Sequence, residues 1–147
     1  HTSKRGKVFD RILEIGSGSG YQSAVLSYFA KEVFAVERIK PLVIKSRENL
    51  RELKLRNISV KHADGYEGWG ASEKFDGIIC AAAPKEYPED LLEFLEVGGK
   101  LVIPVGFENK QKLFVITKAS KAEYKEEIYE DVAFVPMLSG TSNGEIK

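Results

Sequence analysis

The sequence has few of the residues that build disulfides, thiolate metal sites or membrane spans. It contains a single cysteine, Cys80, so it can form neither an internal disulfide nor a cysteine cluster for zinc. No apolar run approaches the length of about 18 residues that a transmembrane helix needs. Its 22 basic and 22 acidic residues balance, which gives no general attraction to nucleic acid or to anionic membranes. We therefore expect no nucleic-acid partner, no membrane association and no metal site.

The first residues also lack the features of a secretion signal. Residues 1–7 are polar and basic, without an apolar segment, so we expect a cytoplasmic protein. The sequence does not begin with methionine, so whether native residues precede His1 stays open. The 147 residues suit a single domain. We expect that domain to span residues 1–138, to be monomeric, and to be followed by a flexible Gly-, Ser- and Thr-containing tail over residues 139–147.

Apolar residues alternate between strand-like and helix-like spacing along most of the chain. The spacing predicts strands over residues 11–15, 33–36, 58–63, 75–82 and 101–105. Between them it predicts a loop over 66–74 and helices over 21–30, 41–54 and 88–95. Three more strands follow without helices, over 112–117, 124–129 and 132–135. This order predicts a Rossmann-like α/β fold, in which a doubly wound, mostly parallel sheet has helices on both faces and an antiparallel C-terminal edge.

A glycine-rich turn follows the first predicted strand. The segment from Ile12 to Gly20 reads Ile-Leu-Glu-Ile-Gly-Ser-Gly-Ser-Gly, and a helical pattern begins at Tyr21. Glycines allow the backbone to approach a ligand closely, and the first N–H groups of a helix favour an anionic group. The turn therefore predicts a ligand site at the carboxyl end of the first strand.

Two acidic residues follow other predicted strands and are expected at the same edge of the sheet. Glu37 ends the second strand, and Asp64 ends the third. A dinucleotide fingerprint, G-x-G-x-x-G, would place its third glycine at position 21, which is Tyr21. The glycines instead fit E-x-G-x-G-x-G, beginning at Glu14, which resembles the first motif of class I S-adenosylmethionine-dependent methyltransferases. The alternative interpretation is that Glu37 and Asp64 are ordinary solvated carboxylates.

That resemblance implies a cofactor and the residues that hold it. The cofactor is S-adenosyl-L-methionine, and its product is S-adenosyl-L-homocysteine. The resemblance implies that the glycine turn packs against the methionine end, that Glu37 accepts the ribose hydroxyls, and that Asp64 accepts the adenine amino group. The implied cofactor-binding set is Glu14, Gly16, Ser17, Gly18, Ser19, Gly20, Glu37, Arg38, Asp64, Gly65 and Ala81.

Several longer pieces of the sequence carry a narrower resemblance. They are L-E-I-G-S-G-S-G-Y-Q over 13–22, V-E-R-I over 36–39, D-G-Y-E-G-W over 64–69, F-D-G-I-I over 75–79, A-A-A-P over 81–84, G-G-K-L-V-I-P-V-G over 98–106 and F-V-P-M over 134–137. Together they cover most of the chain from Leu13 to Leu138. This set resembles the protein-L-isoaspartate O-methyltransferases, a family of protein-repair enzymes.

The family resemblance implies a substrate and a reaction. Members methylate the α-carboxylate of L-isoaspartyl residues in damaged proteins, and the ester then closes to a succinimide that can reopen to aspartate. The implied partners are isoaspartyl peptides and proteins. The implied substrate-binding residues are Ala82, Ala83, Phe134 and Val135. No catalytic base is predicted, because the acceptor carboxylate is already ionised near neutral pH.

The N-terminal residues and two aromatic residues leave alternatives open. Family members carry an N-terminal segment with a Thr/Ser-rich turn followed by Ala-Pro-His, which helps to hold the substrate, and the eleven residues before Ile12 do not reproduce it. The alternatives are therefore a class I methyltransferase with a small-molecule or RNA acceptor, or a non-catalytic cofactor-binding module. Tyr66 and Trp69 either wall the adenine or substrate pocket or pack beneath a loop.

Overall fold

The computed structural model describes residues 8–67, 69–70, 72–83, 89–106, 111–132, 135–136 and 141. Within these ranges no helix has the length and apolar character needed to cross a membrane. The regular elements in chain order are β1 (Phe9–Ile15), α1 (Tyr21–Leu26), β2 (Ala30–Glu37), α2 (Lys40–Glu52), β3 (Ile58–His62), a 3₁₀ turn (Gly65–Glu67), β4 (Phe75–Cys80), β5 (Ala82–Ala83), α3 (Glu89–Leu92), β6 (Leu95–Val105), β7 (Gln111–Lys118), β8 (Tyr124–Val132) and β9 (Val135–Pro136).

Seven of the strands form one sheet in the order β3-β2-β1-β4-β6-β7-β8. Neighbouring strands from β3 to β6 are parallel, whereas β7 is antiparallel to both β6 and β8. The chain proceeds outward from β1 in one direction through α1 and α2, and in the other direction through α3. This arrangement is that of a doubly wound sheet. The predicted Rossmann-like α/β fold with an antiparallel C-terminal edge is confirmed.

The hydrophobic core lies on both faces of the sheet, because successive residues of a strand point to opposite sides. On β1, Leu13 and Ile15 belong to the cluster that includes Leu91 of α3. Ile12, between Arg11 and Leu13, instead packs with Leu26 at the end of α1. The helices α1 and α3 therefore cover opposite faces, as right-handed connections in opposite directions require.

The first helix is shorter than its apolar spacing predicts. The prediction extends to residue 30, but α1 ends at Leu26, and Ala30 already begins β2. The Phe29 carbonyl accepts the N–H groups of Val8 and Phe9 at 2.8 and 3.0 Å, so the intervening turn is bonded to the start of β1. Phe29 is 48% exposed, and Tyr28 is 58% exposed. Tyr28 and Phe29 therefore continue the apolar spacing beyond the end of α1, although their side chains are not buried.

The elements beside β4 also differ from their predicted bounds. The strand predicted over 101–105 begins earlier, since β6 starts at Leu95 and runs through Gly98 and Gly99. Backbone pairing of Phe75 with Leu95 holds this early part in the sheet. The predicted helix over 88–95 is reduced to α3, and residues 84–88 lie outside the described residues. The strand predicted over 75–82 is interrupted at Ala81, after which β5 begins.

The C-terminal elements include one long-range pair that the sequence pattern did not predict. The strands β7 and β8 correspond to the predictions over 112–117 and 124–129. Of the strand predicted over 132–135, Val132 belongs to β8 and Val135 to β9, which pairs in parallel with β5, and residues 133–134 lie outside the described residues. Apart from Thr141, the predicted tail lies outside the described residues, so the domain boundary at residue 138 stays a prediction.

Candidate functional site

The carboxyl ends of β1, β2, β3 and β4 lie side by side. Ile15 of β1 pairs in register with Val36 of β2 and with Cys80 of β4, while Glu37 of β2 pairs with His62 of β3. Backbone hydrogen bonds continue past the strand ends. The Gly16 N–H donates to the Val36 carbonyl at 2.8 Å, and the Ala81 N–H donates to the Ile15 carbonyl at 3.0 Å. The residues at and just after these strand ends therefore form one edge, and they include the predicted cofactor set apart from Glu14, which lies within β1.

The glycine turn adopts a conformation that strongly favours glycine. Gly16, Gly18 and Gly20 have φ values of +88°, +55° and +91°, in the left-handed region. The Gly20 N–H closes the turn on the Ser17 carbonyl at 2.9 Å. A Cβ atom at Gly18 would meet no atom within 4 Å, and one at Gly16 would lie 3.8 Å from the Cβ of Ala81. The turn is therefore open around Gly18 and bordered by Ala81 at Gly16.

The helix α2 supports the end of the turn. A Cβ atom at Gly20 would lie 3.0 Å from Ser46 Oγ and 3.4 Å from Leu50 Cγ. One helical turn further, Asn49 Nδ2 donates to the Ser19 carbonyl at 3.0 Å. Ser46 and Asn49 were not among the predicted site residues. Ser46, a serine on the otherwise apolar face of α2, was the sequence signal that could have indicated the close approach of Gly20 to this helix.

Glu37 is bonded directly to the glycine turn. Its side chain is 6% exposed, and its Oε1 accepts the Gly18 N–H at 2.9 Å. Its Oε2 accepts the Ile39 N–H at 3.0 Å, which fixes the carboxylate at the start of α2. The Glu37 carbonyl also accepts the Ala63 N–H at 3.1 Å, just before Asp64. Glu37 therefore joins the turn to the ends of β2 and β3 and is not an ordinary solvated carboxylate.

Glu14 is fully buried beneath the same turn, with 0% of its surface exposed. Its Oε1 accepts a hydrogen bond from the Ser23 hydroxyl of α1, and its Oε2 has no hydrogen-bond partner. The pKa of Glu14 is raised from 4.5 to about 7, chiefly by burial; the bond from Ser23 opposes this shift, and the negative charge of Glu37 adds to it. Glu14 therefore titrates near neutral pH. Ser23 was not among the predicted site residues.

The remaining cofactor candidates lie after β2 and β3. The Arg38 carbonyl lies 3.0 Å from His62 Nε2, and Arg38 Nε is buried without a hydrogen-bond partner. Asp64 is half-buried, and its carbonyl accepts the Glu67 N–H at 3.1 Å. The buried Gly65 begins the 3₁₀ turn. These residues continue the edge from Glu37 toward the outer strand of the sheet.

The predicted substrate residues lie on the other side of Ala81. Ala82 and Ala83 form β5, and Ala82 pairs with Val135 of β9. The structure thus brings three of the four predicted substrate residues together through their backbones. Phe134 lies outside the described residues.

Trp69 packs against the core and lies beside a lysine. Its ring makes an edge-to-face contact with Phe34, with 5.1 Å between centroids. The Lys61 ammonium lies 5.5 Å from the ring centroid and donates to the Trp69 carbonyl at 2.8 Å. These contacts favour the packing interpretation for Trp69. The Tyr66 side chain lies outside the described part of the structure, so its role stays a prediction.

Known proteins share both the sequence and the fold of this chain. A family model described as protein-L-isoaspartate(D-aspartate) O-methyltransferase matches residues 7–142. A protein-L-isoaspartate O-methyltransferase of Methylobacillus flagellatus is 50% identical over 142 residues, which cover 95% of this chain and 63% of the relative. One of Marinobacter nauticus is 48% identical over 130 residues, covering 88% of this chain and 59% of the relative. The chain thus spans about three fifths of the length of these curated relatives.

A solved structure gives the same result. It is that of a Plasmodium falciparum protein described as a protein-L-isoaspartate O-methyltransferase in complex with S-adenosyl-L-homocysteine. It matches with a TM-score of 0.72 and 31% identity, over 90% of this chain and 67% of that one. The family model covers far more than half of the chain, including the glycine turn and both strand-end carboxylates. The chain therefore belongs to the protein-L-isoaspartate(D-aspartate) O-methyltransferase family.

Proposed function

We propose that this chain transfers a methyl group from S-adenosyl-L-methionine to the α-carboxylate of L-isoaspartyl residues in damaged proteins. Membership of the family supports this reaction. The single observation that carries the proposal is the left-handed glycine turn bonded through Gly18 to the buried carboxylate of Glu37. That pair places a fixed anion beside an open glycine turn at one edge of the sheet.

The residues present fit the proposed cofactor. Buried polar atoms are normally hydrogen-bonded, so those without partners require an explanation. Among the described residues, the buried side-chain atoms without partners are Glu14 Oε2, Ser17 Oγ, Arg38 Nε and Ser46 Oγ. All four residues lie in, beneath or beside the glycine turn and the end of β2. This concentration, together with the open space at Gly18, supports a polar, charged ligand there.

The proposed cofactor contacts follow the order of residues along the edge. Gly16, Ser17, Gly18, Ser19 and Gly20 would hold the methionine end, with Glu14 beneath them. Glu37 and Arg38 would hold the ribose, and Asp64 and Gly65 the adenine. Ala81, which borders Gly16, would lie near the transferred methyl group.

The substrate is proposed to bind beside Ala81. Ala82 and Ala83 would receive the isoaspartyl segment together with Phe134 and Val135, and small side chains leave space for it. When bound, the cofactor supplies a methyl group activated by a sulfonium. The chain's residues then need to orient the acceptor carboxylate and exclude water from it, because that carboxylate is already ionised near pH 7. No residue is required to remove a proton.

We further propose isoaspartyl peptides and proteins as the partners, and a monomer in the cytoplasm as the working form. The balanced charge of the chain supports a function without nucleic acid or membrane. An RNA acceptor is less well supported for the same reason.

Methyl transfer to matched peptides tests the proposal. The chain is incubated with radiolabelled S-adenosyl-L-methionine and either an isoaspartyl peptide or its normal aspartyl twin. Label is expected in the isoaspartyl peptide alone, as a base-labile ester. Label in both peptides would contradict the substrate assignment. Label in neither, despite cofactor binding, would favour the non-catalytic module.

Binding by two matched variants tests the cofactor site. Glu37→Gln keeps the side-chain shape but removes the charge and an acceptor from the turn. Glu32→Gln makes the same change at an exposed position of the same strand. By calorimetry, only Glu37→Gln is expected to weaken S-adenosyl-L-homocysteine binding, by about 1.5–3 kcal/mol for a lost charged hydrogen bond. Equal affinities of the two variants would remove Glu37 from the site.

A further inference from the structure

The buried carboxyl of Glu14 has no role in the methyl-transfer proposal beyond lying beneath the turn. Its surroundings are apolar on the sheet, where Ala35 of β2 and Ile79 of β4 flank it in register. Ser23 of α1 donates to one of its oxygens, and the other has no partner. A fully buried carboxylate with an unsatisfied oxygen is costly unless it is neutral or acquires a donor or a cation.

The charges around Glu14 favour a neutral carboxyl in the ligand-free chain. Glu37 is the charged residue whose field acts on it, and it is an anion bonded to the same turn. The titratable residue of α1, Tyr21, is 79% exposed. The glycine turn has no ionisable side chain, and every charged residue of α2 is exposed. Within the part of the chain that the structure describes, no cation compensates a charge on Glu14.

We propose that Glu14 is a proton-releasing residue of the cofactor site, which is protonated in the ligand-free chain below neutral pH and ionises when a ligand that carries the cationic methionine ammonium binds. The inference rests on the proposed function, because it takes S-adenosyl-L-methionine as the ligand. The O–H bond of the Glu14 carboxyl breaks, its electron pair stays on the carboxylate, and the proton passes to the buffer. The newly formed anion is compensated by the ligand's ammonium, and the Ser23 hydroxyl continues to donate to it.

The sign of the linkage follows from this exchange. A cation near the carboxyl favours its ionised form, so the pKa of Glu14, which is about 7 in the ligand-free chain, is lower in the complex. Binding therefore releases protons between the two pKa values, and affinity increases as the pH rises toward 7. For a fall of about one to two units, affinity is expected to increase about 4- to 12-fold from about pH 5.5 to about pH 7. Glu14→Gln, which cannot ionise, is expected to show no such increase.

Calorimetry in two buffers of different ionisation enthalpy measures the released protons directly. At about pH 6.3 the chain is expected to release about 0.5–0.8 proton on binding S-adenosyl-L-homocysteine. The α-amino group of the ligand titrates at about 7.7–8.0, so it contributes little at this pH. Methylthioadenosine, which lacks the amino acid, is the matched ligand and is expected to release close to none. Glu14→Gln is expected to bind S-adenosyl-L-homocysteine without proton release.

The outcomes separate this inference from the proposed function. Binding of S-adenosyl-L-homocysteine by the unaltered chain without proton release would overturn the role of Glu14 and leave the cofactor assignment intact. Equal release by the unaltered chain and by Glu14→Gln would also overturn it. An absence of binding at every pH would overturn both. If Glu14→Gln does not fold, Ser23→Ala provides the test: it removes the bond that favours the carboxylate, so the pH range of proton release is expected to move upward. An unchanged range would count against the proposal.

Discussion

Replacing Gly20 with alanine tests whether the glycine turn must lie directly against α2. Gly20 has a φ of +91°, and a Cβ atom there would lie 3.0 Å from Ser46 Oγ and 3.4 Å from Leu50 Cγ. A left-handed conformation costs an L-residue roughly 1–2 kcal/mol. Overpacking a tight contact adds about 1–3 kcal/mol. Gly20→Ala is therefore expected to lower the free energy of unfolding by about 2–5 kcal/mol.

Gly98 provides a matched control for the backbone cost. Its φ is +89°, and a Cβ atom there would meet nothing within 4 Å. Gly98→Ala should therefore lower the free energy of unfolding only by the backbone cost of roughly 1–2 kcal/mol. Urea unfolding followed by circular dichroism measures both variants. Adding Ser46→Ala to Gly20→Ala should restore part of the loss, because it removes the oxygen nearest to the new methyl group. Equal destabilisation of the two glycine variants, with no restoration by Ser46→Ala, would refute the close approach.

Other substitutions separate stability from binding. Because the pKa of Glu14 is raised from 4.5 to about 7, its contribution to stability is complete below pH 4.5 and is lost as the pH rises through 7. The unfolding free energy of Glu14→Gln relative to that of the unaltered chain should therefore rise by about 3 kcal/mol between about pH 4 and about pH 8. A constant difference would contradict the raised pKa. Asn49→Ala removes the bond to the turn and should weaken S-adenosyl-L-homocysteine binding by about 0.5–1.5 kcal/mol in calorimetry. Asn57→Ala, which removes two bonds to backbone carbonyls around the α1–β2 connection, should lower stability by about 1–3 kcal/mol and leave binding unchanged. Weaker binding by Asn57→Ala together with unchanged binding by Asn49→Ala would show that Asn49 does not position the turn. Trp69→Ala should lower stability by about 3 kcal/mol without changing cofactor affinity, and a loss of affinity instead would place Trp69 in the binding pocket.

The order of elements was predictable because buried parallel strands are continuous apolar runs, and the helices between them have a different period. Val33 to Val36 illustrates the first pattern, and α2 the second. The end of α1 was not predictable from spacing, since Tyr28 and Phe29 continue a helical pattern although the chain has already turned toward β2. At β6 the glycines resembled a helix stop, but pairing between Phe75 and Leu95, which are distant in sequence, places them within a strand.

The position of the candidate site followed from topology, whereas its internal bonds did not. Residues after parallel strands must meet at one edge, so Glu37 could be placed near the glycine turn from the sequence. That its carboxylate accepts the Gly18 N–H depends on a rotamer and a turn geometry that no sequence motif specifies. The bonds from Ser23 to Glu14 and from Asn49 to Ser19 join different elements. They therefore depend on how the two helices pack onto the sheet.

The parallel pair of β5 and β9 has a consequence for the order in which the chain is assembled. The glycine turn, Glu37 and Asp64 all lie in the first half of the sequence, and their mutual bonds need only β1, β2, β3 and α2. Ala82, in contrast, finds its strand partner only at Val135. On a translating ribosome, the proposed cofactor-binding residues would be in place before the partner of β5 has been synthesised. The proposed cofactor side and substrate side would then mature in sequence during synthesis, with the substrate side last.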